Sequence, residues 1–188
     1  MAGAVGPYFG TKYYSAHVKH GAHFFFTLFD AATAEPLAMM EANYLGQIRT
    51  GAASGYATSL LSRTGSHTLG VIGSGFQAQA QIEAITGVRA IREVMVYSRN
   101  EARREAFAER CAKLFGLPVA AMPTAESTIS HADIVVTATY SKDPVIDARW
   151  VRPGAHINAI GSNQAQRREL PPELIERAAH LACRRVAQ

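Results

Sequence analysis

The stretch Thr68-Leu69-Gly70-Val71-Ile72-Gly73-Ser74-Gly75-Phe76-Gln77-Ala78 decides how this chain is read. A short apolar run, residues 69–72, enters a Gly73-x-Gly75-x-x-Ala78 turn, and a helix-like segment follows from Gln77. Dinucleotide binding needs that order: a buried strand, a tight glycine turn, then a helix whose free N–H groups face a pyrophosphate. Gly73 permits the turn, Gly75 lets the backbone approach phosphates, and Ala78 lets helix and strand pack closely. A lone glycine triplet is weak evidence; one set between strand and helix is far more specific.

Downstream the pattern continues as βαβ. Apolar runs predict strands at residues 69–72, 93–98, 119–121, 134–137 and 156–160. Helices are expected between and after them at 77–86, 101–115, 125–131 and 172–179. Buried strands alternating with helices argue for a parallel, doubly wound sheet of the Rossmann type. Upstream, β-formers predict strands at 8–18, 23–29 and 36–41, with a turn at 30–35. From Tyr44 to Ser62 the period becomes helical through Leu45, Ile48, Ala52, Tyr56 and Leu60, with Asn43 a candidate N-cap. Gly51 and Gly55 weaken that helix, so a close backbone approach is expected there. The expected division is a β-rich region over 1–62 and a nucleotide-binding domain over 63–188.

Composition narrows the function classes. The 188 residues are 48% hydrophobic and 18% charged, as in a globular protein. The net charge of +4 comes from scattered pairs such as Arg103-Arg104 and Arg184-Arg185, not from a basic stripe with interleaved aromatics, so nucleic acid is not an expected partner. No apolar run is long enough for a membrane span. Cys111 and Cys183 stand alone without metal-ligand spacing, which suits a reducing cytoplasm. His17, His20 and His23 are three apart, but Gly21 and the β-rich surroundings argue against the helix that would gather them around zinc.

In a doubly wound sheet, ligands sit at the carboxyl ends of the strands. The first such strand delivers Gly73, Ser74, Gly75, Phe76 and Gln77. The second ends at Ser98-Arg99, about 20 residues past the turn, where an NAD-type site carries an acid for the ribose hydroxyls. A hydroxyl and a guanidinium instead suit a 2′-phosphate, so NADP(H) is expected in preference to NAD(H). The fourth strand ends at Thr137-Ala138-Thr139, and the fifth at Asn158-Ala159-Ile160-Gly161. Those residues suit either contacts to the nicotinamide ribose and ring or loop capping. Lys12, on the same face of an aromatic strand as Tyr8 and Tyr14, and Arg49, followed by Thr50 in a helix of small residues, are candidates to hold a substrate carboxylate. Each is also a candidate for simple snorkelling to water.

Several segments together resemble the ornithine cyclodeaminase/μ-crystallin family. They are Tyr8-Phe9-Gly10-Thr11-Lys12, Gly46-Gln47-Ile48-Arg49-Thr50-Gly51-Ala52-Ala53, Ala132-Asp133-Ile134-Val135-Val136-Thr137-Ala138-Thr139, Gly154-Ala155-His156-Ile157-Asn158-Ala159-Ile160-Gly161 and Arg168-Glu169-Leu170. The resemblance implies a hydride moved between NAD(P) and the α-carbon of an amino or imino acid. It implies Lys12 as catalytic lysine and Arg49 as the arginine contacting substrate and cofactor. It implies cofactor positions at 73–77, Ser98, Arg99, Thr139 and 158–161, with Thr50 and Thr137 beside them, and a homodimer of the full-length protein.

Cyclodeaminases of the family carry an acid/base aspartate shortly after the fifth strand, where this chain has Asn163. An amide hydrogen-bonds but accepts no proton at neutral pH, so reduction of a preformed C=N bond is expected ahead of the full cyclodeaminase cycle. Ornithine cyclodeaminase remains the alternative enzyme, and a ligand-binding protein without turnover the alternative outside enzymes. Relatives extend further on both sides, so the chain is expected to correspond to an internal stretch of the family protein, with a partial β-rich substrate and dimerisation region and a C-terminally shortened Rossmann domain.

Overall fold

The computed structural model describes residues 2–17, 19–161 and 164–183. The chain divides into two compact units, residues 1–50 and 51–188.

The first unit is an antiparallel sheet in the order β1-β2-β3-β4: β1 (Ala2–Val5), β2 (Tyr8–His17), β3 (Gly21–Asp30) and β4 (Pro36–Glu41). Aromatic residues carry its pairing. Phe9 stacks on Phe29 and Tyr13 on Phe25, while Tyr14 tilts against Phe24 across the β2–β3 register. Such cross-strand pairs are the unit of sheet stabilisation. Asp30 closes the β3–β4 turn by accepting from the N–H groups of Ala32 and Thr33, which holds its carboxyl below the usual range. The short β1 lies outside the expected strands, because Ala-Gly-Ala-Val carries no strand signal; its backbone simply completes the edge of β2.

Helix α1 (Asn43–Leu61) begins in the first unit and ends in the second. Asn43 does not cap it as expected. Its Oδ1 accepts instead from the backbone N–H of Phe24 and ties the helix start to β3. The expected close approach at the paired glycines is present. A Cβ on Gly51 would stand 2.4 Å from the carbonyl oxygen of Ala80, and one on Gly55 3.0 Å from that of Ala84.

The second unit holds a parallel sheet in the order β7-β6-β5-β8-β9. Its strands are β5 (Thr68–Ile72), β6 (Glu93–Tyr97), β7 (Val119–Ala121), β8 (Ile134–Thr137) and β9 (His156–Ala159). The helices are α2 (Phe76–Thr86), α3 (Glu101–Phe115), α4 (Ala125–Ile129) and α5 (Pro172–Glu176), with a 3₁₀ turn at Ala148–Trp150. Every predicted element of this half is present, most within a residue or two of its expected ends.

Alternating residues divide the core between the two faces of the sheet, as a period of two requires. Leu69, Val71, Val94, Val96, Ile134 and Val136 pack with Ile82 and Ile85 of α2 and Phe107 of α3. On the other face Ile72 and Val135 pack with Ile129 of α4, Ile146 and Leu174 of α5. Asp133 anchors the amino ends of the strands. It accepts from the backbone of His67 and Thr68 and pairs with Arg63 and Arg152.

Cys111 is fully buried in the first of these cores, and burial pushes its thiol up to about 11, whereas Cys183 is exposed. Because the thiolate is the reactive form, a maleimide at neutral pH should label one thiol per native chain, at Cys183. Mass mapping that found Cys111 modified as fast as Cys183 would contradict this packing.

Candidate functional site

The glycine turn sits at the carboxyl end of β5, the central strand of the parallel sheet. Gly73 has φ +121°, a conformation that side-chain-bearing residues rarely adopt, and it is packed against the end of β8. Its N–H donates to the carbonyl of Tyr97 at 2.8 Å, and the N–H of Ala138 donates to the carbonyl of Ile72 at 2.8 Å. The turn is thus fixed to the ends of both neighbouring strands. Gly75 precedes α2 in extended backbone, without a side-chain cap on the helix, and nothing lies within 4 Å of where its Cβ would be. Gly75 therefore gives α2 no side-chain cap and leaves open space beside the start of the helix, as an anion site needs. Ser74 is half-buried, Phe76 is exposed, and the Oε1 of Gln77 is buried without a partner among the described residues.

At the end of β6, Ser98 accepts a 2.8 Å hydrogen bond from the hydroxyl of Ser74, which joins the two strand ends. Arg99 is exposed and has no partner among the described residues. Arg104 does structural work beneath it. Buried on α3, it donates to the carbonyl of Ser98 and lies over the Tyr97 ring.

The ends of β8 and β9 are engaged differently from what strand-end position alone suggests. Thr137 is fully buried, and its hydroxyl donates to Glu169 at 3.0 Å. Thr139 donates to the same carboxylate through its N–H at 2.6 Å and its hydroxyl at 2.7 Å, and Gly161 through its N–H at 2.7 Å. Asn158 is buried and turned inward, its amide donating to Thr58 of α1. Neighbouring His156 is held below the usual imidazole range by burial, which its hydrogen bond to Asn158 opposes. Thr137 and Asn158, expected at the cofactor, thus spend side-chain hydrogen bonds on Glu169 and Thr58. Glu169 is the residue that sequence reasoning overlooks. Its segment, Arg168-Glu169-Leu170, carries part of the family resemblance but assigns the acid no role, and only the fold sets it against the hydroxyl-rich strand ends. Asn163 lies outside the described residues.

In the first unit, Lys12 is half-buried on β2 with its Nζ 4.5 Å from the centre of the Phe24 ring, on the face that carries Tyr14. Gly46, in the first turn of α1, makes room for that ammonium: a Cβ there would stand 2.9 Å from Nζ. Arg49 is exposed one turn further along the same side of the helix, three residues on. Thr50 uses its hydroxyl on the Gly46 carbonyl at 2.8 Å. His17 and His20 stack at 4.8 Å, with His23 on β3; among the described residues no three His, Cys, Asp or Glu converge on a metal position. No helix among the described residues is long and apolar enough to cross a membrane.

Strand order, parallel pairing and a glycine turn at the exit of the central strand define a Rossmann-type α/β unit, preceded by an antiparallel sheet. The chain belongs to the ornithine cyclodeaminase/mu-crystallin family, whose model matches residues 2–187. A delta(1)-pyrroline-2-carboxylate reductase of Bacillus cereus is 44% identical over 151 residues, 80% of this chain and 46% of that protein. A solved delta(1)-pyrroline-2-carboxylate reductase from Thermococcus litoralis, in complex with NADH and L-proline, matches with a TM-score of 0.86 at 34% identity, covering 90% of this chain and 55% of that one. An archaeal alanine dehydrogenase dimer with bound NAD matches with a TM-score of 0.86 at 35% identity, covering 92% and 55%. The chain spans about half the length of the curated relatives it matches.

Proposed function

We propose that this chain is part of an NAD(P)H-dependent oxidoreductase that reduces an α-imino acid (ketimine) to an amino acid, or runs the reverse reaction. The observation that carries the reading is the Gly73–Gly75 turn, with open space beside Gly75, leading from the central strand of a parallel sheet into α2 in a chain of this family. The relatives named above, a reductase with NADH and L-proline and a dehydrogenase with NAD, support the cofactor and substrate class. The proposal includes a cytoplasmic homodimer, in keeping with the dimeric archaeal relative.

When bound, a reduced nicotinamide supplies the hydride. The chain's own residues bind and orient. The N–H groups of Ser74, Gly75, Phe76 and Gln77 would hold the pyrophosphate, aided by the helix dipole. Ser98 and Arg99 would hold a 2′-phosphate, for which a guanidinium is a better partner than for a ribose hydroxyl. Arg49 would pair with the substrate carboxylate. Lys12, kept close to an aromatic face, would orient the imine and give its nitrogen a proton. The amide at Asn163 supports reduction over the cyclodeaminase cycle, which needs a proton acceptor there.

The test is oxidation of NADPH and NADH in the presence of a cyclic α-imino acid. Turnover should favour NADPH by about tenfold in kcat/KM, the worth of one good charge-assisted contact. Arg99→Ala should bring the two cofactors near parity without loss of the NADH rate. If wild type prefers NADH, the role given to Arg99 falls. If neither cofactor is oxidised with any cyclic imine, the reductase reading itself falls.

A further inference from the structure

Glu169 is 4% exposed and accepts four hydrogen bonds, two at each oxygen. Oε1 takes the N–H and hydroxyl of Thr139; Oε2 takes the hydroxyl of Thr137 and the N–H of Gly161. One carboxylate therefore spans the ends of β8 and β9 and satisfies a backbone donor of each. Its own backbone is fixed in turn, since its carbonyl accepts from Val145 at 2.9 Å. Gly161 is the counterpart of this arrangement. A Cβ there would stand 2.2 Å from the Thr139 carbonyl oxygen and 2.5 Å from the Glu169 carboxyl carbon, so no other residue lets the two loops and the acid come together. The Thr139 loop also packs against the phosphate turn, because a Cβ on Gly73 would meet the Ala138 carbonyl. Phosphate turn, β8 end, Glu169 and β9 end form one continuous set of contacts.

We propose that Glu169 is a positioning residue for the cofactor's nicotinamide half, acting through Thr139 and Gly161 without touching the ligand. This rests on the reading of the second unit as a dinucleotide site. The carboxylate is the one side chain that suits the position. Glutamine has one acceptor oxygen, so its NH₂ group would face the backbone N–H of either Thr139 or Gly161, donor against donor. Only one of the two loops would then be held. The β5 turn and the β6 end, which would take the pyrophosphate and the adenosine, make no hydrogen bond to Glu169; Gly73 is tied to Tyr97 and Ala138 to Ile72 without the carboxylate, so these ends should be spared.

Calorimetric titration separates these halves. The probes are whichever of NADH or NADPH binds wild type more tightly, and the ADP or 2′-phospho-ADP that lacks both the nicotinamide and its ribose. In Glu169→Gln the reduced dinucleotide should bind about tenfold more weakly, the worth of one charge-assisted hydrogen bond, while the truncated ligand keeps its wild-type affinity. Thr137→Val is the second variant, for use if the glutamine chain does not fold. It is close in shape and fully buried, and it removes one of the four donors. It should show the same selective loss at about threefold, a smaller share of the same hydrogen-bond worth. Equal losses on both ligands would make Glu169 a purely structural residue and overturn the proposal, as would unchanged binding of both. Wild-type chain that binds neither NADH nor NADPH would instead overturn the cofactor reading on which it rests.

Discussion

Gly73→Ala should lower the melting temperature by roughly 10 °C and abolish dinucleotide binding, whereas Gly75→Ala should leave the melt in place and weaken binding alone. Two costs add at Gly73. Its φ of +121° lies where an L side chain is strained, and the new methyl would stand 2.4 Å from the Ala138 carbonyl oxygen and 3.0 Å from its carbon. Both obstructing atoms are backbone, in a segment that hydrogen-bonds to β5, so relief means moving a strand end. Strain and overpacking together cost on the order of 4 kcal/mol. Stability of a folded domain is about 5–15 kcal/mol, so that loss is large. Gly75 differs in every respect. Its φ of −91° suits any residue, and the space around it is open. A methyl there costs the fold little but stands where a pyrophosphate would approach the backbone. The check is a thermal melt with a cofactor titration for both variants. A Gly73→Ala chain that melts with wild type would mean the turn is not held as described.

The contrast between those glycines shows what is legible in the sequence. The order of short apolar runs and helical segments after residue 67 carries the parallel sheet, because each buried strand needs an unbroken run of β-formers and each crossover needs a helix. Gly51 and Gly55 announce close packing by being glycines in a helix at all. Local pattern fails where the partner is distant. Nothing around Thr137 or Asn158 says which way their side chains hydrogen-bond, since the partners are Glu169 and Thr58, 32 and 100 residues away. Position at a strand's carboxyl end tells only that they are near a site. Asn43 misleads for the same reason: its oxygen serves the N–H of Phe24 across the chain rather than its own helix. Likewise β1 arises from pairing with β2 rather than from its own composition.

Lys12→Ala should lower kcat/KM for imine reduction by about 10²- to 10⁴-fold, the usual worth of a positioned proton donor. The side chain's surroundings support this more strongly than its strand does. Glycine costs a helix about 1 kcal/mol against alanine, yet Gly46 stands in the first turn of α1 where a Cβ would crowd the Lys12 ammonium. A lysine that merely snorkelled to water would not need that space. The Phe24 ring at 4.5 Å gives the cation a fixed seat, and Arg49 follows Gly46 on the same side of the helix. Reduction of C=N places one proton on nitrogen for each hydride on carbon. A lysine can release that proton at neutral pH, and an arginine cannot. Lys12→Arg therefore separates two roles. If Lys12 only anchors a carboxylate by charge, the arginine variant should recover most of kcat and KM. If it supplies the proton, KM should recover in part while kcat stays near the alanine level. Steady-state kinetics on the two variants, with melts to confirm that each is folded, decide between them. Turnover in Lys12→Ala equal to wild type would remove Lys12 from the chemistry altogether.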